Sequence, residues 1–156
     1  MKNKILFGLF IFLLASFAGC QKLSKEEKAD LKEELRSFVV YANNLENDLF
    51  ENEDQFDTRE KVYDHFRKGF SVDLATDITA YLWEDGSLNA SEIILAEPES
   101  EIKFLKLSAN EAEVFYETPE KLRGVWELKK YKIDKLKKEE GKWFIYQSVD
   151  TDYEPE

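Results

Sequence analysis

The hydrophobic period of this chain changes once, near Asp85-Gly86, from about 3.6 residues to 2, which divides it into a helical half and a sheet half. Ser24-Lys25-Glu26-Glu27 is a capping box: the serine hydroxyl accepts the third backbone N–H and the glutamate reaches back to the cap. Leu31, Leu35, Phe38, Ala42, Leu45 and Leu49 then recur in steps of four and three, one stripe down a long amphipathic helix. Asp57 with Glu60 repeats the capping pattern before Val62, Phe66 and Phe70, with Gly69 as a stop. Ser71 caps a third helix carrying Leu74, Ile78, Tyr81 and Leu82, and Asp85-Gly86 breaks it.

Beyond Gly86 the alternation is that of strands. Ile102 and Phe104, Val114 and Tyr116, and finally Trp143, Ile145, Gln147 and Val149 alternate with polar neighbours. Between Val125 and Leu136 the parity switches: Trp126 and Leu128 fall on one side, Tyr131 and Ile133 on the other. One extra residue near Lys129 and Lys130 reconciles them, so the pattern predicts a long strand with a β-bulge within Glu127 to Lys132. Glu139-Glu140-Gly141 is a tight hairpin turn with Gly141 at positive φ. The expected fold class is α+β, with N-terminal helices, one of them long, packed on a curved antiparallel sheet.

The N-terminus has a different texture. Lys2 and Lys4 precede an apolar run from Ile5 to Phe17, and Phe17-Ala18-Gly19-Cys20 follows. As a helix that run rises roughly 20 Å, short of the ~30 Å hydrocarbon core of a bilayer. The segment resembles a bacterial lipoprotein signal peptide, differing at Phe17, where that pattern usually has leucine or another aliphatic residue. The resemblance implies that residues 1–19 are removed and that Cys20 is acylated. Residues 20–23 then form a short tether, 24–150 one domain and 151–156 an acidic tail, on the outer side of the cell membrane. Gln21 is not the aspartate that retains lipoproteins in a Gram-negative inner membrane, so an outer-membrane location is open for such a host. Cys20 is the sole cysteine, and no disulfide supports the fold.

The order of elements and the closing hairpin, Gly141-Lys142 followed by Trp143-Phe144-Ile145-Tyr146, resemble the NTF2-like superfamily over most of residues 24 to 150. That resemblance implies a cone-shaped sheet, NTF2-like or cystatin-like, wrapped around the long helix. The superfamily holds small-molecule enzymes, ligand-binding proteins and non-catalytic envelope modules, so function rests on a site rather than on the fold.

Charge narrows the classes. The chain has 22 basic and 33 acidic residues for a net −11, and losing Lys2 and Lys4 with the leader takes it to −13. Nucleic-acid binding is disfavoured. His65, the only histidine, is the one candidate general base, with Asp64 or Glu60 as nearby carboxylates, and its expected setting is a partly exposed helix boundary. Zinc sites of the usual ligand sets are excluded, and no cofactor is implied. Glu46, Asp48, Glu51, Glu53, Asp54 and Asp57 lack the spacing of an EF-hand and read as a solvated helix end. Lys129, Lys130, Lys132, Lys135, Lys137 and Lys138 form a basic run that discourages edge-to-edge pairing or meets anionic headgroups or wall polymer. Lipidation at Cys20 is thus joined by one possible ligand or partner surface: His65, Trp126, Tyr131, Lys130 and Lys132. The expected function is a non-catalytic, lipid-anchored envelope protein that binds another envelope protein or a small ligand in the mouth of the sheet. The competing expectations are an NTF2-like enzyme using His65 and an acidic inhibitor of an envelope hydrolase.

Overall fold

The computed structural model describes residues 23–88, 95, 98, 100–126 and 128–155, so the leader and Cys20 lie outside the described residues. Helix α1 (Lys25–Glu51) starts at Ser24, whose hydroxyl accepts the Glu27 N–H at 3.2 Å while the Glu27 carboxylate accepts the Ser24 N–H at 2.8 Å. The predicted capping box is present. The predicted stripe is buried at Leu31, Leu35, Ala42, Leu45 and Leu49, but Phe38 is only half-buried and its neighbour Val39 takes the central place.

Helix α2 (Arg59–Phe66) is capped by Thr58, whose hydroxyl accepts the Lys61 N–H, and not by Asp57. Asp57 instead holds Lys61 in an ion pair at 2.7 Å. Helix α3 (Val72–Leu82) begins at Ser71 as expected, and its inner side is Ala75, Ile78, Thr79 and Leu82, with Tyr81 exposed. Asp85 and Gly86, both at positive φ, then turn a small hairpin of β1 (Trp83–Glu84) and β2 (Ser87–Leu88).

Four strands form one open antiparallel sheet in the order β3-β4-β5-β6: β3 (Lys103–Leu107), β4 (Glu111–Glu117), β5 (Tyr131–Glu139) and β6 (Lys142–Thr151). Helix α4 (Glu120–Trp126) joins β4 to β5. The fold class is α+β, a long helix and shorter ones packed on a sheet that does not close into a barrel. The tight turn expected at Glu139-Glu140-Gly141 is present, with Glu140 and Gly141, both at positive φ, as its two loop residues and Glu139 paired with Lys142 in the ladder.

The strand predicted from Val125 to Leu136 is not there. Its first residues complete α4, and β5 starts only at Tyr131, so Trp126 and Tyr131 belong to different elements and need no shared parity. The extra residue lies across the hairpin: Leu136 pairs with Ile145 and Lys135 with Gln147, which leaves Tyr146 as the bulge. Because of it, the predicted inward run Trp143, Ile145, Gln147, Val149 holds only for its first two members; Gln147 and Val149 are exposed. Strand β6 also runs through Thr151, so the expected tail from residue 151 begins one position later.

Gly69 does not stop α2, which ends at Phe66. It is the point where three elements converge. The Gly69 carbonyl accepts the Ile145 N–H and the Ser71 N–H donates to the Ile145 carbonyl, each at 2.9 Å, stitching the α2–α3 link to the edge of β6. On its other side stands α1, so close that a Cβ at Gly69 would lie 2.8 Å from the Ala42 Cβ and 3.1 Å from its Cα. With strand β6 fixed behind it, the link has no room to retreat. Gly69→Ala is expected to lower the unfolding free energy by about 1–3 kcal/mol, the range for overpacking, in denaturant titrations at equal slope.

Candidate functional site

Strand parity determines which side chains of the sheet meet α1. Tyr116 of β4 lies opposite Lys132 of β5, and Lys132 opposite Asp150 of β6; Val114, Asp134 and Ser148 form the next row. Ala112, Leu136 and Ile145 follow, an apolar row. The bulge at Tyr146 is what turns Ser148 and Asp150 to the inner side, since without an extra residue Ile145 and Ser148 fall on opposite faces. One end of the inner face is therefore apolar and the other polar.

Helix α1 meets the polar end with Asn43. Asp134, fully buried, accepts the Tyr116 hydroxyl at 2.6 Å, the Ser148 hydroxyl at 2.5 Å and the Asn43 amide at 3.3 Å. The same Asn43 amide donates to the Val39 carbonyl and the Tyr116 oxygen, each at 2.9 Å, while its own oxygen accepts the Lys132 ammonium at 3.0 Å. Burial, and then the Asp134 carboxylate beside it, push the Tyr116 phenol well above its usual range, so it remains a neutral donor. At the rim, Asp150 is open to solvent, yet desolvation of its carboxyl raises its pKa, with Asp134 adding to the rise and Lys132 opposing it. The arrangement joins α1 to three strands through mutually satisfied groups, and its Tyr116 hydroxyl and Asp134 oxygens are already engaged with protein partners.

His65 lies elsewhere, between α2 and α1, and is buried rather than partly exposed. Its partners are on α1, not Asp64 or Glu60. Nε2 is 2.7 Å from the Leu45 carbonyl and 3.6 Å from an Asp48 carboxylate oxygen. A carbonyl only accepts, so Nε2 carries the proton, and Nδ1 is left to accept from the Lys68 ammonium at 3.4 Å. Phe56 and Phe66 meet the ring edge-to-face. Desolvation is the largest influence and lowers the pKa; Lys68 lowers it further, against the Leu45 carbonyl and Asp48. Both ring nitrogens are taken, and the group binds α2 to α1.

The other expected site residues are dispersed. Lys132 is 4% exposed, on the inner face and part of the polar cluster. Tyr131 points to the outer face, 7% exposed, edge-on to Phe115, with the exposed Lys130 ammonium 4.8 Å above its ring. Trp126 closes α4, and its side chain lies outside what is described. These residues form no common surface with His65. Within the basic run, Lys129 pairs with Asp152, Lys130 with Glu117, Lys137 with Glu139 and Lys138 with Glu34. In the acidic segment Glu46 is buried and accepts the Leu95 N–H at 2.8 Å, while Asp48, Glu51, Glu53, Asp54 and Asp57 are exposed as expected.

Asn43, Asp134, Ser148 and Asp150 were not marked by the sequence pattern, and Tyr116 was read only as an apolar strand residue. A signal existed at β5. Lys132 and Asp134 share the parity of Leu136, a conflict between charge and inward register that flags buried polar groups.

Two outcomes test these assignments. Asp134→Ala leaves several buried donors without their acceptor and should cost about 3 kcal/mol or more of unfolding free energy, against about 1 kcal/mol for Tyr116→Phe. For His65, the folded pKa lies below the ordinary 6.5, so the unfolded chain binds more protons as pH falls and stability drops with it. The contribution of neutral His65 is complete above pH 6.5 and is lost as pH falls from there toward the depressed folded value. His65→Gln, which retains a donor for Leu45, should flatten that part of the stability profile between pH 7.5 and 5.

Comparison with protein-family models, with curated proteins and with solved structures gives no match.

Proposed function

We propose that this chain is a non-catalytic, lipid-anchored module of the cell envelope, acylated at Cys20, that works by binding another envelope protein. The observation that carries the non-catalytic reading is the occupied inner face of the sheet. Leu136, Trp143 and Ile145 fill its apolar end, and Tyr116 and Asp134 engage Asn43 and Ser148 at its polar end. His65 supports the same reading, because its engaged nitrogens leave no base for a substrate. A small ligand in the mouth of the sheet is the less favoured form of binding, since it must displace these groups.

For a partner, charge supports a basic protein over an anionic polymer. The lysines suited to headgroups or wall polymer stand beside carboxylates, and the chain without its leader is at −13. Leu23 already packs against the core, so only Cys20, Gln21 and Lys22 would separate a lipid from the domain, a reach of about 10 Å. Such a tether favours partners at the membrane surface.

The anchor is tested by fractionation and intact mass. Wild type should carry acyl chains and sediment with membranes, and Cys20→Ser should be unprocessed or released without lipid. A wild-type mass without lipid, together with unchanged membrane partition of the variant, overturns the assignment. In-cell crosslinking of the anchored form should recover a discrete envelope protein, and the purified pair should dissociate as salt rises.

A further inference from the structure

Asn43, Lys132 and Asp134 are all buried, and their order has a chemical meaning beyond packing. The Lys132 Nζ stands 3.0 Å from the Asn43 Oδ1, one bond away from the amide carbon. On the other side of that carbon, the Asn43 Nδ2 donates to the Tyr116 oxygen at 2.9 Å and to an Asp134 carboxylate oxygen at 3.3 Å. An amine beside an amide carbonyl, with a hydroxyl and a carboxylate at the amide nitrogen, supplies the parts of an amide exchange.

The setting favours it. A buried ammonium is unfavourable without a counter-charge, and among the described residues Lys132 has Asn43 as its hydrogen-bond partner and no carboxylate within ion-pair distance. Asp150 faces Lys132 across the ladder and makes no hydrogen bond or ion pair among the described residues. Desolvation raises its pKa, which makes it a ready proton acceptor. The fold also holds amine and amide together, which replaces a bimolecular encounter.

We propose that Lys132 and Asn43 join in an intramolecular isopeptide bond, formed once by the folded chain on itself, that ties α1 covalently to β5. Asp150 takes one proton from the Lys132 ammonium, and the free amine adds its electron pair to the Asn43 Cγ, whose C=O π electrons move to Oδ1. Both nitrogens are then on Cγ. The surplus proton on Nζ passes to Asp134, and the Tyr116 hydroxyl, 2.6 Å from that carboxylate, hands its own to Nδ2 and recovers one from Asp134. The C=O re-forms, the Cγ–Nδ2 bond breaks, and ammonia leaves, picking up the proton held on Asp150. One C–N bond replaces another without oxidant or co-reactant, and a neutral amide replaces the buried ammonium. Asp134 keeps Tyr116 and Ser148 as donors. A chain whose sole cysteine is Cys20 thereby gains a staple that disulfides do not give it. The bond rests neither on the lipid anchor nor on a protein partner, and a single self-modification leaves the chain a binding module.

Peptide mapping of the full chain, purified folded and then denatured, tests the bond. Trypsin should release residues 37–59 joined to residues 131–135 as one branched peptide, lighter than the two parts by one ammonia, with fragment ions placing the link at Asn43 and Lys132. Lys132→Met, which keeps a stem of similar bulk and removes the amine, should yield residues 37–59 alone at full mass. Tyr116→Phe should form the same bond about a hundredfold more slowly, read as the unlinked fraction in pulse-labelled protein. The inference is overturned if folded wild type gives residues 37–59 unlinked and no branched peptide. It is also overturned if Lys132→Met still loses ammonia at Asn43, which marks a change within the asparagine itself. A wild-type rate in Tyr116→Phe overturns the proton route.

Discussion

The carboxylate of Asp134 is the constraint around which the domain is organised. Held without solvent between α1 and the sheet, it demands donors, and it draws them from β4, β6 and α1 at once through Tyr116, Ser148 and Asn43. Apolar packing tolerates sliding, because one methyl group serves much like another. A buried carboxylate does not, since a shift of a single ångström leaves it unmatched. The network therefore sets the register of α1 against the strands, while the apolar core, Leu35, Val39, Leu136 and Ile145 among it, supplies the hydrophobic driving force. Beside Asn43 on α1, Gly69 against Ala42 and His65 at the Leu45 carbonyl set the position of α2 by contact and by hydrogen bond, so one stretch of the helix is located against both the sheet and α2.

Much of this was legible in the residues. The capping box at Ser24, the helical stripe and the Glu140-Gly141 turn depend on short-range chemistry, and each was found where its pattern lies. The bulge illustrates a limit. A parity switch shows that an extra residue or a change of element is needed somewhere, but alternation alone does not distinguish the two. Around Lys129 the cause was a helix, and at Tyr146 it was a true bulge that the aromatic pattern of Trp143-Phe144-Ile145-Tyr146 concealed. The helix had left its own mark in Pro119-Glu120, a proline followed by an acidic residue, the usual composition of a first turn.

The polar cluster was less legible for a physical reason. Asn43 and Glu46 sit on α1 amid polar neighbours, and nothing local separates a buried amide from a solvated one; the difference arises only when the sheet arrives. His65 shows the same dependence on distant groups. Its nearest carboxylates in sequence are irrelevant to it, and the carbonyl that fixes its tautomer comes from twenty residues away on another helix.

Tyr146 adds a last consequence, in the language of insertions and deletions. The ladder on either side of it is already in register for a strand one residue shorter, since Leu136 faces Ile145 and Lys135 faces Gln147. Loss of this half-exposed residue, or of Gln147 beside it, leaves one residue between Ile145 and Ser148 and so keeps every inward group inward. What Tyr146 contributes is curvature, the local twist that a bulge gives a strand. The Tyr146-Gln147 pair is thus a place in the hairpin where the gene can change its length by one codon and alter the bend of the sheet without rewriting its two faces.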